Sequence, residues 1–160
     1  MNKKYRRAII AGNWKMNLRP SDVKGYVDEL RAALPKTRSC DVVLCVPAPM
    51  IHALGKAVRD CSRIAIGAQD VSQHEKGAYT GDVSCDMLED LGVKYVIVGH
   101  SERRRYHGED DFAVNAKVKA VIRNGMIPII CVGESQFQRE RGLTLELIDY
   151  QVSAAMSGLN

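Results

Sequence analysis

Short apolar runs alternate with amphipathic stretches along nearly the whole chain. Residues 8–11, 42–46, 64–68, 95–98 and 127–132 are continuously hydrophobic, as expected of strands covered on both faces in a parallel sheet. Between them, apolar residues recur at helical spacing. One stripe runs through Val23, Tyr26, Val27, Leu30 and Leu34, a second through Val114, Val118, Val121 and Ile122, and a third through Leu145, Ile148, Val152, Ala155 and Met156. Pro35 and Gly125 stop the first two helices. The pattern predicts an α/β fold of about five parallel βα units in one domain, residues 1–160. Each strand is joined to the next by a crossover that should be right-handed.

Two segments qualify this scheme. Pro128 cannot donate to a ladder, so it belongs at a strand's first residues or on an edge, and the fifth strand proper is expected to begin near Ile129. Residues 71–84 form the longest irregular stretch, polar and glycine-punctuated. A loop of that length in a compact domain is usually functional or disordered.

Open and closed parallel sheets bind ligands beyond the carboxyl ends of their strands, and the chain places its candidate chemistry there. The fourth apolar run leads into Val-Gly-His-Ser-Glu-Arg-Arg, residues 98–104. Ser101 is expected to cap the following helix, and a helix N-terminus disfavours a protonated imidazole, which makes His100 a candidate neutral electrophile. The first run ends in Ala-Gly-Asn-Trp-Lys-Met-Asn, residues 11–17, where Gly12 lets the backbone turn while Asn13 and Lys15 supply an amide and an ammonium. Asn13, Lys15, His100 and Glu134 should share one rim of the sheet. A cation, an amide and an imidazole together suit an anionic substrate with a carbonyl.

These two segments, with Gly67–Ser84 (Gly-Ala-Gln-Asp-Val-Ser-Gln-His-Glu-Lys-Gly-Ala-Tyr-Thr-Gly-Asp-Val-Ser) and Pro128–Glu134 (Pro-Ile-Ile-Cys-Val-Gly-Glu), closely resemble the triosephosphate isomerase family. The four motifs occur in register over nearly the whole chain. The resemblance implies a TIM (β/α)₈ barrel, here incomplete, and a cytoplasmic enzyme of glycolysis and gluconeogenesis. Such an enzyme interconverts dihydroxyacetone phosphate and glyceraldehyde 3-phosphate by proton transfer through an enediolate, without cofactor or metal. By motif match Lys15 and His100 would be catalytic, Asn13 and Lys15 would bind substrate, and Ser101 and Glu102 would support them. The loop at 71–84 would dock into a second subunit of a homodimer, with Thr80 approaching that subunit's Asn13 and Lys15.

One departure matters. The family's general base is a glutamate in a later Tyr-Glu-Pro-Val-Trp segment, followed by a mobile lid and glycine-rich phosphate loops, and none of these occurs in the 160 residues. A closed barrel of this type usually needs roughly 250 residues. The resemblance therefore implies that this polypeptide alone has little or no isomerase activity.

Composition changes the picture little. With 46% hydrophobic and 26% charged residues and a formal net charge of +4, the chain reads as an ordinary globular one whose small positive excess fits a phosphorylated substrate. Nothing points to nucleic acid. Lys3, Lys4, Arg6 and Arg7 precede an apolar stretch too short for a signal segment or a membrane span. The odd number of cysteines, Cys40, Cys45, Cys61, Cys85 and Cys131, contains no Cys-x-x-Cys pair and suggests reduced, mostly buried thiols. His52, His74 and His107 lack partners at metal-ligand spacing. Cys131 reads as strand packing, and Glu134 and Arg103 as members of ion pairs, the latter with Glu109.

Two other readings fit the pattern. One is a non-catalytic barrel fragment that self-associates or complements a partner fragment, since five parallel strands leave two unpaired edges. The other is a five-stranded flavodoxin-like domain, in which Asp70 would follow the third strand as a phospho-acceptor does.

Overall fold

The computed structural model describes residues 8–37 and 39–159, so the basic start at Lys3–Arg7 lies outside the described residues. Strands β1 (Ala8–Asn13), β2 (Cys40–Val46), β3 (Ile64–Ala68), β4 (Tyr95–Val98) and β5 (Ile127–Ile130) form one all-parallel sheet in the order β1-β2-β3-β4-β5. Sequential order means that every crossover steps the same way, which curls the sheet into part of a barrel. It also excludes the flavodoxin-like alternative, whose order 2-1-3-4-5 reverses direction after the first unit.

Helices α1 (Val23–Ala33), α2 (Ala48–Val58), α3 (Cys85–Asp90), α4 (Ser101–His107), α5 (Asp111–Arg123), α6 (Gln136–Glu140) and α7 (Thr144–Met156) connect or follow the strands, with a 3₁₀ turn at Pro20–Asp22. Local chemistry sets their ends. Ser84, Asp110 and Ser135 each accept a hydrogen bond from a first-turn N–H, satisfying donors the helix cannot. Gly108 closes α4 in the left-handed conformation, at φ 67°.

Strand alternation sorts the core into two layers. Val42, Leu44, Val46, Ile66, Val96 and Val98 face the helices and pack with Val23, Val27, Ile51, Leu54, Val114 and Val118. Val43, Cys45, Tyr95 and Ile97 form a smaller cluster on the opposite face, with Ala65, Ile129 and Cys131 against it. Each fully buried aliphatic side chain contributes on the order of 1.5–3 kcal/mol. On this inner face β2 and β3 approach so closely that a Cβ at Gly67 would meet Cys45 Sγ at 2.5 Å.

Burial on both faces holds for β2 and β4 but not for the outer strands. Ile9, Ile10 and Ile127 are 44%, 62% and 48% exposed, because among the described residues β1 and β5 each have a strand on one side only. β1 extends to Asn13 and β2 begins at Cys40, both longer than their apolar runs. β5 starts at Ile127 rather than near Ile129. Ile127 and Cys131 donate to Lys94 and Val98, so by alternation the nitrogen of Pro128 faces the sheet edge, where no donor is required. The α7 stripe is corrected in part: Ala155 is buried as expected, but Leu145, Val152 and Met156 are exposed and Gln151, outside the stripe, is buried.

Candidate active site

The carboxyl rim collects side chains from three strand ends. β1 runs out through Asn13 into Lys15, whose backbone takes the left-handed conformation at φ 50°. That conformation is costly for a residue with a Cβ and persists where neighbours hold it. Here the Asn13 Oδ1 accepts the Lys15 N–H at 3.0 Å, and Gln69 Nε2, just past β3, donates to the carbonyls of Lys15 (3.0 Å) and Cys45 (3.2 Å). Lys15 Nζ reaches Glu102 Oε1 at 2.6 Å, a bond spanning 87 residues of sequence. That contact holds the Glu102 carboxyl below its ordinary range.

At the end of β4, Gly99 turns the chain at φ 70°, and a Cβ there would meet Val114 Cγ2 at 2.7 Å. The turn makes His100, not Ser101, the cap of α4. The ring Nδ1 of His100 accepts the Glu102 N–H at 3.2 Å, while Ser101 is the first helical residue. With Nδ1 accepting the backbone N–H, the ring turns Nε2 to its outer edge, where it can donate. A Glu102 oxygen lies 3.4 Å from the same Nδ1, but the carboxylate's close partner is Lys15.

Asn13, Lys15, Gln69, His100 and Glu102 thus border one cavity of about 270 Å³, and Lys15 and His100 lie at the same end of the sheet. A second cavity, about 450 Å³, runs between the β4 and β5 loops and is lined by His100, Ser101, Arg104, Cys131, Gly133 and Glu134. Thr80 is exposed in the 71–84 loop and is not among the residues lining either cavity. That loop is ordered: Ser72 binds the Val83 carbonyl and Asp82, and His74 stacks on Tyr79 at 3.9 Å.

Arg103, the next residue after Glu102, also borders the 270 Å³ cavity, but its guanidinium is held by two acids. It pairs with Asp70 (2.9 Å) and Glu109 (2.8 Å), and Lys117 joins both acids at 2.7 and 2.6 Å. Burial pushes the Asp70 carboxyl up despite these partners. Burial also opposes the charge on Glu109, but its bonds from Lys117 and Arg103 prevail and hold that carboxyl below its ordinary value. Glu134 is held low by its own backbone N–H and by Arg139 at 2.7 Å. Both residues expected to join ion pairs do so.

The five cysteines are free; Cys45 and Cys85 are buried and the other three partly so. Burial, with Cys131 nearby, pushes the Cys45 thiol up to about 12, and burial likewise raises Cys131, so neither offers a thiolate. Among the described residues, no group of histidines, cysteines and acids could hold a metal ion, and no helix is long and apolar enough to cross a membrane. The sequence reading missed Gln69, which faces two backbone carbonyls, and Gln151, which sits inside a helix. Gln69 lay within the quoted Gly67–Ser84 motif without being singled out, and Gln151 carried no motif signal. It also missed Asp70 and Lys117 as partners, since a pair 47 residues apart shows no spacing.

A curled all-parallel sheet with a cation, an amide and an imidazole converging on its carboxyl rim defines the β/α-barrel class of ligand-binding proteins. A model of the triosephosphate isomerase family matches residues 8–160. Similar proteins include the triosephosphate isomerases of Carboxydothermus hydrogenoformans (46% identical over 154 residues) and Moorella thermoacetica (49% over 154), each match covering 96% of this chain and 61% of the relative. That of Corynebacterium glutamicum is 48% identical over 158 residues, covering 97% and 61%. The chain belongs to the triosephosphate isomerase family, and it spans about 61% of the length of these relatives.

Proposed function

We propose that the protein interconverts dihydroxyacetone phosphate and glyceraldehyde 3-phosphate in the cytoplasm, and that residues 1–160 form a single domain supplying the electrophilic side of that site. The reading rests on one observation: Lys15 and a His100 ring with its Nδ1 already engaged border the same cavity. In this reading the Nε2–H of His100 donates to the substrate's carbonyl oxygens, a bond that strengthens as the enediolate gains charge. The Lys15 ammonium offsets substrate charge and Asn13 binds beside it. Ser101 and Glu102 support the pair, Glu102 by holding Lys15 and by presenting its N–H to His100.

Glu102 is a poor candidate for the base, because Lys15 stabilises its ionised form and lowers its proton affinity. The family's Tyr-Glu-Pro-Val-Trp glutamate does not occur in these 160 residues, and removing a positioned base typically costs about 10²–10⁴ in rate. The polypeptide of residues 1–160 alone should therefore show little isomerase activity, whereas the protein extended to the length of its relatives should be active. A coupled assay on both, with the shorter chain verified by mass spectrometry, tests this. Near-normal turnover by the 160-residue chain would overturn the assignment of the base. A homodimer is part of the proposal, with Thr80 of one copy approaching Asn13 and Lys15 of the other.

The exposure of Ile9, Ile10 and Ile127 along the outer strands favours a second reading, in which the 160-residue polypeptide self-associates or pairs with a complementary fragment. Sedimentation showing a well-folded monomer would count against it.

A further inference from the structure

The 450 Å³ cavity beside His100 has two walls that are built very differently. The β4 side is fixed by its own helix: Arg104 Nε binds the Gly99 carbonyl at 2.9 Å while its Nη1 binds Asp111 at 2.7 Å, and His100 caps α4. The opposite wall, Cys131–Glu134, follows the last residue of β5 and is irregular. It joins the ladder only at its start, where the Cys131 N–H meets the Val98 carbonyl at 2.9 Å.

Two residues further on, the Gly133 N–H donates to Gln151 Oε1 at 2.8 Å. Gln151 lies on α7, is 7% exposed, and occupies a position where an amphipathic stripe would call for an apolar side chain. Its helix is itself tied down. Asn115 of α5 donates to the carbonyls of Ala155 and Ser157, both at 2.9 Å, and α5 carries Val114, Val118 and Val121 into the main core. A rigid chain of contacts therefore runs from the core through α5 and α7 to one backbone amide beside the candidate electrophile. Burying an amide side chain costs free energy unless its bonds are made, and this one is directed at the loop wall.

We propose that Gln151 is a positioning residue: through the Gly133 amide it holds the Cys131–Glu134 loop as the second wall of the His100 cavity. The role presumes the isomerase reading for its use in catalysis, but its physical content does not depend on that reading. The test compares Gln151→Met, which keeps the volume and loses the acceptor, with Gln151→Glu, which keeps an acceptor oxygen. Both are made in the 160-residue chain and followed by amide hydrogen exchange and by the ring nitrogen chemical shifts of His100.

A net hydrogen bond of ordinary strength corresponds to about a tenfold loss of Gly133 protection in Gln151→Met. The His100 ring shifts should move with it, the β4 amides of Val96 and Val98 should keep their protection, and Gln151→Glu should restore both signals. Unchanged Gly133 and His100 signals would overturn the proposal. So would a uniform loss of protection across β4 and β5, since Gln151 would then contribute only to general stability. Absence of isomerase turnover in the longer protein would refute the reaction while leaving these two readouts intact, so the two failures are distinguishable.

Discussion

Glu102 and Arg103 are consecutive residues on one short helix, yet they serve two regions of opposite character. On the Glu102 side, Lys15 and Glu102 form a pair in which both side chains are about half exposed, at 51% and 46%. On the Arg103 side, Glu109 and Lys117 are 7% and 9% exposed within a four-membered network with Asp70. Both regions bring together parts of the chain far apart in sequence. The exposed pair can exchange partners with an arriving anion at little cost, whereas the buried network cannot lose a member without stranding a charge. Charge burial, not the type or number of ion pairs, separates a region suited to binding from one suited to holding the fold.

The largest expected effect belongs to the open region. Under the proposed isomerase reading, His100→Gln in the longer protein should lower kcat by about 10²- to 10³-fold, the usual loss when an oxyanion donor is removed, with only the loss of about 1 kcal/mol expected of a missing helix cap. A comparable loss of stability would merge the two regions into one. Glu109→Ala should do the reverse. Breaking a buried pair costs about 3–5 kcal/mol, and the lower end applies because Asp70 still meets Lys117 and Arg103. Equilibrium unfolding measures it, and a variant as stable as the parent would show the network to be dispensable.

Gly99→Ala probes the hinge between the two regions. A positive φ of 70° and a Cβ 2.7 Å from Val114 should together cost about 2 kcal/mol and displace His100. Glu102→Gln should leave the unfolding midpoint close to the parent's while altering Lys15, which chemical shifts of the Lys15 side chain would report.

Acid pH gives the smallest effect. The folded-state pKa of Glu109 is depressed, so the stability it contributes is present above its unfolded value and is lost as pH falls through the lower, folded value. Asp70 is raised and has the opposite sign: its penalty is relieved as pH falls through its raised value. Unfolding midpoints measured down through the acid range should therefore hold until below the ordinary carboxylate region. Glu109→Ala should lose the share of that fall due to Glu109, leaving the smaller share of Glu102 and Glu134, and Glu102→Gln should retain most of it.

What was legible in the sequence follows from the range of the interactions involved. β2, β3 and β4 announced themselves because burial on both faces demands unbroken apolar runs, and α1 and α5 because an apolar stripe recurs at helical spacing, although Tyr26 and Ile122 of those stripes are exposed. The edge location of Pro128 and the rim location of Lys15 and His100 followed from the rules of parallel sheets and from motif resemblance. The helix cap was misassigned to Ser101, since residue type favours serine while the φ of Gly99 decides which side chain folds back. The α7 stripe misled for a related reason. Spacing identifies a helix, but which face is covered depends on its neighbours, and α7 buries Gln151 and Ala155.

By itself the sequence determined the order and kind of the elements and the presence of a lysine, an amide and an imidazole past strand ends, because these depend on contacts within a few residues or on pattern. Tertiary structure alone decided that Lys15 meets Glu102 across 87 residues, that Arg103 and Lys117 converge on Asp70, and that Gln151 accepts the Gly133 N–H. Each of these is set by the curl of the sheet and by distances of about 3 Å, over which hydrogen bonds form or fail and which no spacing along the chain encodes.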